Sequence, residues 1–203
     1  MATVYTRIYD APPVNLKEIF RYAGAKQATP ELRAIVSDCL AEIKDRLKYK
    51  VCYAELDISF FEGGIDLGFM KSNSRDLSKN LSGCQKIVLF AATVGLEIDR
   101  LIARYGATSP TKSLIFDAIG AERIESLCNA FNSEMAENLA ANGYKTRPRF
   151  SAGYGDFAIE AQRDIFDALT CPAKIGLSLG DNLLMSPSKS VTAIIGIYNN
   201  QEK

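Results

Sequence analysis

The sequence predicts an α+β fold in which helices pack on a mixed or largely antiparallel sheet. Segments with the apolar spacing of helices are interspersed with segments rich in β-branched and aromatic residues. They lack the regular strand–helix–strand order of a doubly wound parallel sheet. No repeat or low-complexity segment divides the 203 residues. We therefore expect a single domain over residues 1–203, with residues 1–50 as its helical N-terminal part.

The first half of the chain contains three predicted helices and one predicted hairpin. "VNLKEIFRYAG" has helical spacing, and "TPELRAIVSDCLAEIKDRLK" begins with Thr29 as N-cap and Pro30 at the first helical position. "VCYAELDISFFEGGIDLGF" alternates like a hairpin that turns at Gly63 and Gly64. "SRDLSKNLSGC" is typical of a short helix that ends at Gly83.

The second half begins with a buried strand, "IVLFAA", followed by the turn "TVG" and the helix "LEIDRLIARYG". From Ser113 to about Asn142, apolar residues line one side of a helix of about 30 residues, far above the usual mean of about 11–12. "AIEAQRDIFDALT" is predicted to be a helix of about three turns. "KIGLSL" and "MSPSKSVTAIIGIY" are predicted to be the last strands.

Composition excludes several function classes. Lysine plus arginine equals aspartate plus glutamate at 24 each, which disfavours broad nucleic-acid binding. The chain has no histidine, so a Ser-His-Asp or Cys-His system, a His-ligated metal site and a histidine proton shuttle are excluded. The five cysteines have no C-x-x-C spacing, and there is neither a signal peptide nor an 18-residue apolar run. We expect a cytoplasmic protein with reduced thiols, no metal and no membrane segment.

The stretch "RPRFSAGYGDF" is the candidate site loop. Gly153 and Gly155 are suited to positive φ in a turn, in which Tyr154 would be a wedge. Arg149 is suited either to a ligand carboxylate or to a salt bridge with Asp156 or another surface acid.

Two other segments leave alternatives open. Glu125 lies at the edge of the apolar stripe of the long helix, either half-solvated or facing Arg149 across a pocket for a zwitterionic ligand. "ATVG" precedes a helix and is either an anion site or a simple turn capped by Thr93.

These segments resemble the activation domain of cobalamin-dependent methionine synthase in a stand-alone form. Its Arg-x-x-x-Gly-Tyr motif is met by Arg149, Gly153 and Tyr154. "LGDNLLM", "SVTAIIG", "DAIGAERIESLCN" and "LFAATVG" are also similar. The resemblance covers roughly residues 78–197 and is weak before Val51. In place of the proline common after Gly-Tyr in this family, the chain has Gly155.

The resemblance implies an S-adenosylmethionine site. Arg149 would bind the ligand carboxylate, and the backbone of Ser151, Ala152 and Gly153 would line the amino-acid and adenosine parts. Tyr154, the catalytic candidate, would lie near the methyl group and face the corrin. Glu125 matches the helix glutamate of the family, although a shift of one residue to Ser126 is possible.

The implied function is reactivation of cobalamin carried by a partner methionine synthase that lacks its own activation domain. A flavodoxin-like donor would supply one electron to cob(II)alamin, and S-adenosylmethionine would supply the methyl group. Two alternatives stay open: service to another corrinoid methyltransferase, and a non-catalytic module that only binds S-adenosylmethionine.

Overall fold

The computed structural model describes residues 2–199, in which helices cover both faces of a central sheet. In chain order the elements are β1 (Tyr5–Ile8), α1 (Leu16–Tyr22), α2 (Pro30–Ile43), β2 (Lys50–Asp57), β3 (Ser59–Phe61), β4 (Gly64–Asp66), β5 (Lys71–Ser72), α3 (Arg75–Asn80), β6 (Lys86–Thr93), α4 (Glu97–Gly106), α5 (Pro110–Ala140), β7 (Tyr144–Thr146), α6 (Gln162–Leu169), α7 (Cys171–Ile175), β8 (Ser178–Leu179), β9 (Met185–Ser186) and β10 (Ser190–Asn199).

Within residues 2–199, the central sheet has five strands in the order β1-β2-β6-β10-β7, and every neighbouring pair is antiparallel. The α+β class and the largely antiparallel sheet predicted from the sequence are therefore confirmed. Two smaller sheets, β3-β4-β5 and β8-β9, lie outside it.

Both faces of the central sheet are buried, because side chains alternate between two apolar cores. One core packs the sheet against α1, α2, α4 and α5, and the other packs it against α3, α6 and α7. Along β6 the alternation is complete: Val88, Phe90 and Ala92 belong to the first core, and Ile87, Leu89 and Ala91 to the second. The cavity described below lies where these two layers meet at the sheet edge.

The starts of α1 and α2 follow the capping rules. The side chain of Asn15 accepts from the Glu18 amide before α1, and Thr29 accepts from the Leu32 amide before α2, as predicted. Helix α5 has 31 residues and begins at Pro110, close to the predicted extent. At Gly120 a Cβ would lie 2.7 Å from Ile98 and 2.8 Å from Lys189, so glycine lets α4 and the segment before β10 approach α5.

Several local predictions were wrong. Helix α2 ends at Ile43, before the predicted end, because Lys44 has a non-helical ψ of 131° and Asp45 a positive φ of 61°. The predicted long hairpin is divided: residues 50–57 join the central sheet, and only β3 and β4 pair across Gly63. Much of "KIGLSL" is not strand, because Lys174 and Ile175 lie in α7.

Two edge strands were missed. Strand β1 lies within the N-terminal part that was expected to be helical, and β7 follows α5 directly. Each is short and exposed or half-exposed, so neither carries a continuous apolar pattern. Across the described residues, no helix is both long enough and apolar enough to span a bilayer.

Candidate functional site

The candidate site lies beside the outer edge of β10. Phe150 and Ile194 exchange two backbone hydrogen bonds of 2.8 Å, so the segment after β7 follows the strand this far. Because strand residues alternate, the backbone N–H and C=O of Thr192 face the same outer edge as those of Ile194. Beyond Phe150 the chain turns away, and the part of β10 from Ser190 to Thr192 borders a cavity.

Residues 151–157 form a tight turn. The Gly153 amide donates to the Phe157 carbonyl over 2.7 Å, and the Phe157 amide donates to the Tyr154 carbonyl over 3.0 Å. Gly153 and Gly155 have φ of +90° and +54°, as the glycine pattern predicted. A Cβ at position 155 would lie 2.2 Å from the Asp76 carboxylate. The positive φ of Gly155 favours glycine here, and the Asp76 side chain would have to move to admit a larger residue.

Asp156 anchors the turn to α3 and does not pair with Arg149. The predicted salt bridge of Arg149 to Asp156 was therefore wrong, whereas the pairing of Arg149 with another partly exposed acid, Glu125, is observed. Its carboxylate accepts from the Ser74 hydroxyl at 2.5 Å and from the Arg75 and Asp76 amides at 2.9 and 3.2 Å. These bonds, the Ser74 hydroxyl first, lower the pKa of Asp156 below its usual value. Asp156 thus supplements the Ser74 cap and fixes the loop position.

The cavity has a volume of about 500 Å³, within the range of about 300–1,000 Å³ that is typical of small-molecule sites. It is lined by Tyr22, Glu125, Arg149, Phe150, Ser151, Ala152, Tyr154, Gln162, Met185, Ser190, Val191 and Thr192. Helix α5 contributes to it from one face of the sheet, and α6 contributes from the other face. The cavity therefore extends across the edge of the sheet.

Arg149 and Glu125 form an ion pair at the cavity wall. A second nitrogen of Arg149 donates to the Asn129 side chain over 3.1 Å, which fixes the guanidinium on α5. The two side chains are 23% and 39% exposed, so both charges remain partly solvated. Glu125 is thus half-solvated, as one alternative had it, and it also lines the same cavity as Arg149, in direct contact with it.

Ser126 has a different environment. Its hydroxyl donates to Glu122 over 2.7 Å, and it does not line the cavity. Glu122 forms two hydrogen bonds of 2.5 Å with Arg123, and these side chains are only 1% and 2% exposed. Arg123 also donates to the Pro12 carbonyl at 2.6 Å. This buried cluster anchors the N-terminal segment, and Ser126 belongs to it, whereas Glu125 lines the cavity.

The remaining sequence candidates divide into two groups. Ser151, Ala152 and Tyr154 line the cavity, and Tyr154 is 67% exposed at its rim. Gly153 is not a lining residue; it holds the turn. Tyr154 also borders a second, open depression with Lys79 and Arg147.

The segment "ATVG" is a turn and not a cavity element. The Thr93 hydroxyl accepts from the Gly95 amide at 3.2 Å and from the Ser190 hydroxyl at 2.9 Å. The N-cap of α4 is Leu96, which makes no side-chain capping bond. Thr93 therefore caps this turn, as one of the two alternatives predicted, and makes no cap to α4.

Cys128, one turn after Glu125, is not a candidate nucleophile. It is fully buried, and burial raises the pKa of its thiol to about 12. A thiol with this pKa stays protonated near neutral pH, so Cys128 behaves as a small apolar side chain.

Sequence reasoning missed several lining residues, among them Tyr22, Gln162 and Met185. Tyr22 is the last residue of α1, and Gln162 the first of α6, so both come from elements that no local pattern connects to the loop. Met185 and the start of β10 lie in "LGDNLLM" and "SVTAIIG", which the sequence analysis used only as part of the family resemblance.

The fold and cavity define an α+β domain with an antiparallel central sheet and a ligand-sized cavity at the sheet edge. No protein-family model and no curated protein matches the chain. A solved structure, the MetH reactivation domain bound to AdoHcy, matches with a TM-score of 0.72 at 15% identity, over 100% of this chain and 80% of that chain. The chain thus has the fold of the methionine synthase reactivation domain, and the fold expected from the sequence resemblance is confirmed.

Proposed function

We propose that this protein binds S-adenosylmethionine in the cavity and supports reductive methylation of cobalamin on a partner methionine synthase. The observation that carries the proposal is the Arg149–Glu125 pair at the cavity wall. The fold shared with the MetH reactivation domain, which was solved with AdoHcy bound, supports the same ligand class.

The ion pair is suited to an amino-acid group. A ligand carboxylate bound to Arg149 and a ligand ammonium bound to Glu125 replace one ion pair with two, and the charges stay balanced. A partly exposed pair contributes only about 0–1 kcal/mol to stability, so opening it costs little. Asn129 keeps Arg149 on α5 during this exchange.

The rest of the cavity suits the nucleoside half of the ligand. Small side chains at Ser151 and Ala152 allow the ligand to approach the loop backbone. The outward-facing N–H and C=O of Thr192 offer one donor and one acceptor beside it. These groups orient a ligand without any acid–base residue, in keeping with a chain that has no histidine.

Tyr154 is the candidate for positioning the reacting end of the ligand. It lies at the exposed rim of the cavity, where a partner that carries cobalamin has access. When bound, the sulfonium supplies an activated methyl group and the partner's reduced cobalt is the nucleophile. The contribution of this chain is orientation, which by itself can account for a large share of a rate enhancement.

Calorimetry with S-adenosylmethionine and S-adenosylhomocysteine tests the first half of the proposal. We expect binding of both ligands to the purified chain. The absence of heat at millimolar ligand, with a folded protein by circular dichroism, would contradict the proposal.

A reconstituted assay tests the second half. A methionine synthase lacking its activation domain is inactivated to the cob(II)alamin form and supplied with S-adenosylmethionine and a flavodoxin-like reductant. We expect this chain to restore activity and Tyr154→Phe to restore it more slowly while binding the ligand normally. Ligand binding without any restoration would favour the module that only binds; restoration of another corrinoid methyltransferase alone would favour that partner.

A further inference from the structure

Gln162 has a buried side chain with an unused hydrogen-bond acceptor. The residue is 6% exposed at the start of α6, and its Oε1 has no hydrogen-bond partner within residues 2–199. Buried side-chain oxygens are nearly always bonded, because an unpaired one loses its hydration without replacement. A group of this kind therefore requires an explanation.

The position of Gln162 supplies one. Three other buried polar atoms in the described chain share the lack of a partner: Asn80 Oδ1, Asn132 Oδ1 and Arg147 Nε. None of their residues lines the cavity beside β10, whereas Gln162 does. The free acceptor and the ligand-sized cavity thus coincide at Gln162.

The chemistry of a primary amide indicates which part of a ligand it contacts. Glu125 and Arg149 provide charge on the α5 side of the sheet edge, and Gln162 provides a neutral group on the α6 side. Ala152 and Met185 give apolar surface in the same cavity. A neutral base fits this α6 side of the cavity, because its faces can pack on the apolar side chains and its edge can bond to the amide.

Resting on the proposed function, we infer that Gln162 recognises the adenine of the bound nucleoside. Its Oε1 accepts from the exocyclic amine, and its amide N–H donates to a neighbouring ring nitrogen. A glutamine amide carries a donor and an acceptor side by side. Adenine does the same with its exocyclic amine and the neighbouring ring nitrogen, and bidentate pairing of this kind is the usual contact of glutamine with adenine.

The test is a ligand-by-residue cycle measured by calorimetry. S-adenosylhomocysteine is compared with its analogue that lacks the 6-amino group, on the wild type and on Gln162→Met, an unbranched apolar replacement. We expect the wild type to bind the amino ligand about 3- to 10-fold more tightly, the effect of one neutral hydrogen bond. We expect Gln162→Met to bind both ligands equally, and Gln27→Met, outside the cavity, to keep the wild-type preference.

Each outcome decides the inference. A Gln162→Met protein that retains the preference for the amino ligand, or a wild type with none, overturns the role of Gln162 while leaving S-adenosylmethionine binding intact. A wild type that binds neither ligand contradicts the proposed function itself. Thermal unfolding without ligand supplies an independent readout: removing an unpaired acceptor should not lower Tm, and a clear drop would indicate a structural role instead.

Discussion

Two glutamates one turn apart on α5 each pair with an arginine: Glu122 with Arg123 of the same helix, and Glu125 with Arg149, which follows β7. The two pairs have the same chemistry and differ in burial and in their other partners. Glu122 and Arg123 are 1% and 2% exposed, whereas Glu125 and Arg149 are 39% and 23% exposed. In the buried pair, further lone pairs and N–H groups are taken by Asn15, Ser126 and two proline carbonyls. In the partly exposed pair, both side chains line the cavity, so their remaining lone pairs and N–H groups are available to a ligand.

The difference separates a structural ion pair from one that can open. Burial opposes the charge of Arg123, but its bonds to Glu122 outweigh that effect and raise the pKa of Arg123. A ligand cannot replace these partners without unfolding the N-terminal segment. The Arg149–Glu125 pair has solvent on one side, so a zwitterion can exchange with it.

Breaking the buried pair should produce the largest effect. Arg123→Met leaves the Glu122 carboxylate buried without its cation, and loss of one partner of a buried pair costs about 3–5 kcal/mol. We expect the free energy of unfolding, measured in urea, to fall by this amount. The control is Arg100→Met, which removes an arginine that is 70% exposed in its pair with Glu97.

For the control we expect a change below about 1 kcal/mol. Equal losses for the two variants would mean that burial does not distinguish these pairs, and the comparison would fail.

Removing Arg149 should affect binding far more than stability. Arg149→Ala is expected to weaken S-adenosylmethionine binding by about 1.5–3 kcal/mol, the value of a hydrogen bond to a charged group. Its free energy of unfolding should change by less than about 1 kcal/mol, because the pair is partly solvated. Calorimetry and urea unfolding measure the two quantities, and a variant that loses stability but binds normally would reverse the assignment.

Glu125→Gln tests the other half of the pair and keeps the side-chain shape. It removes the charge that faces the ligand ammonium, so we expect weaker binding by about 1 kcal/mol or more, since hydrogen bonds to charged groups are the stronger ones. The matched control is Asp117→Asn, an exposed acid of α5 that pairs with Lys189 at 2.7 Å and does not line the cavity. Equal binding by Glu125→Gln and the wild type would show that Arg149 acts alone.

The sequence predicted the loop of this site better than its surroundings. The positive φ values of Gly153 and Gly155 could be predicted because glycine favours them locally. The length of α5 could be predicted because its apolar residues repeat with the helical period. Arg149 and Glu125 are 24 positions apart, and the sequence offered a shared pocket for them only as one of two open alternatives, without their direct contact.

Other features depend on tertiary packing. Gln162 and Tyr22 reach the cavity because α6 and α1 pack on opposite faces of the sheet, which no local pattern encodes. Strands β1 and β7 were missed because an edge strand is defined by its neighbour and not by its own hydrophobicity. A salt bridge between Asp156 and Arg149 was one open alternative, but Asp156 instead accepts three bonds, from the Ser74 hydroxyl and two amides of α3.

Asp156 is a third carboxylate to compare with Glu122 and Glu125, and it bonds to the start of α3 and not to an arginine. Of the substitutions considered, we expect its replacement to have the smallest effect. Its pKa is lowered in the folded protein, so its contribution to stability is present above the unfolded value of about 4 and is lost as pH falls through the folded value. Asp156→Asn should therefore lower Tm slightly at pH 7, and the difference from the wild type should shrink as pH falls below about 4. Thermal unfolding of both proteins across this range measures it, and a difference that grows on acidification would contradict the assigned bonds to α3.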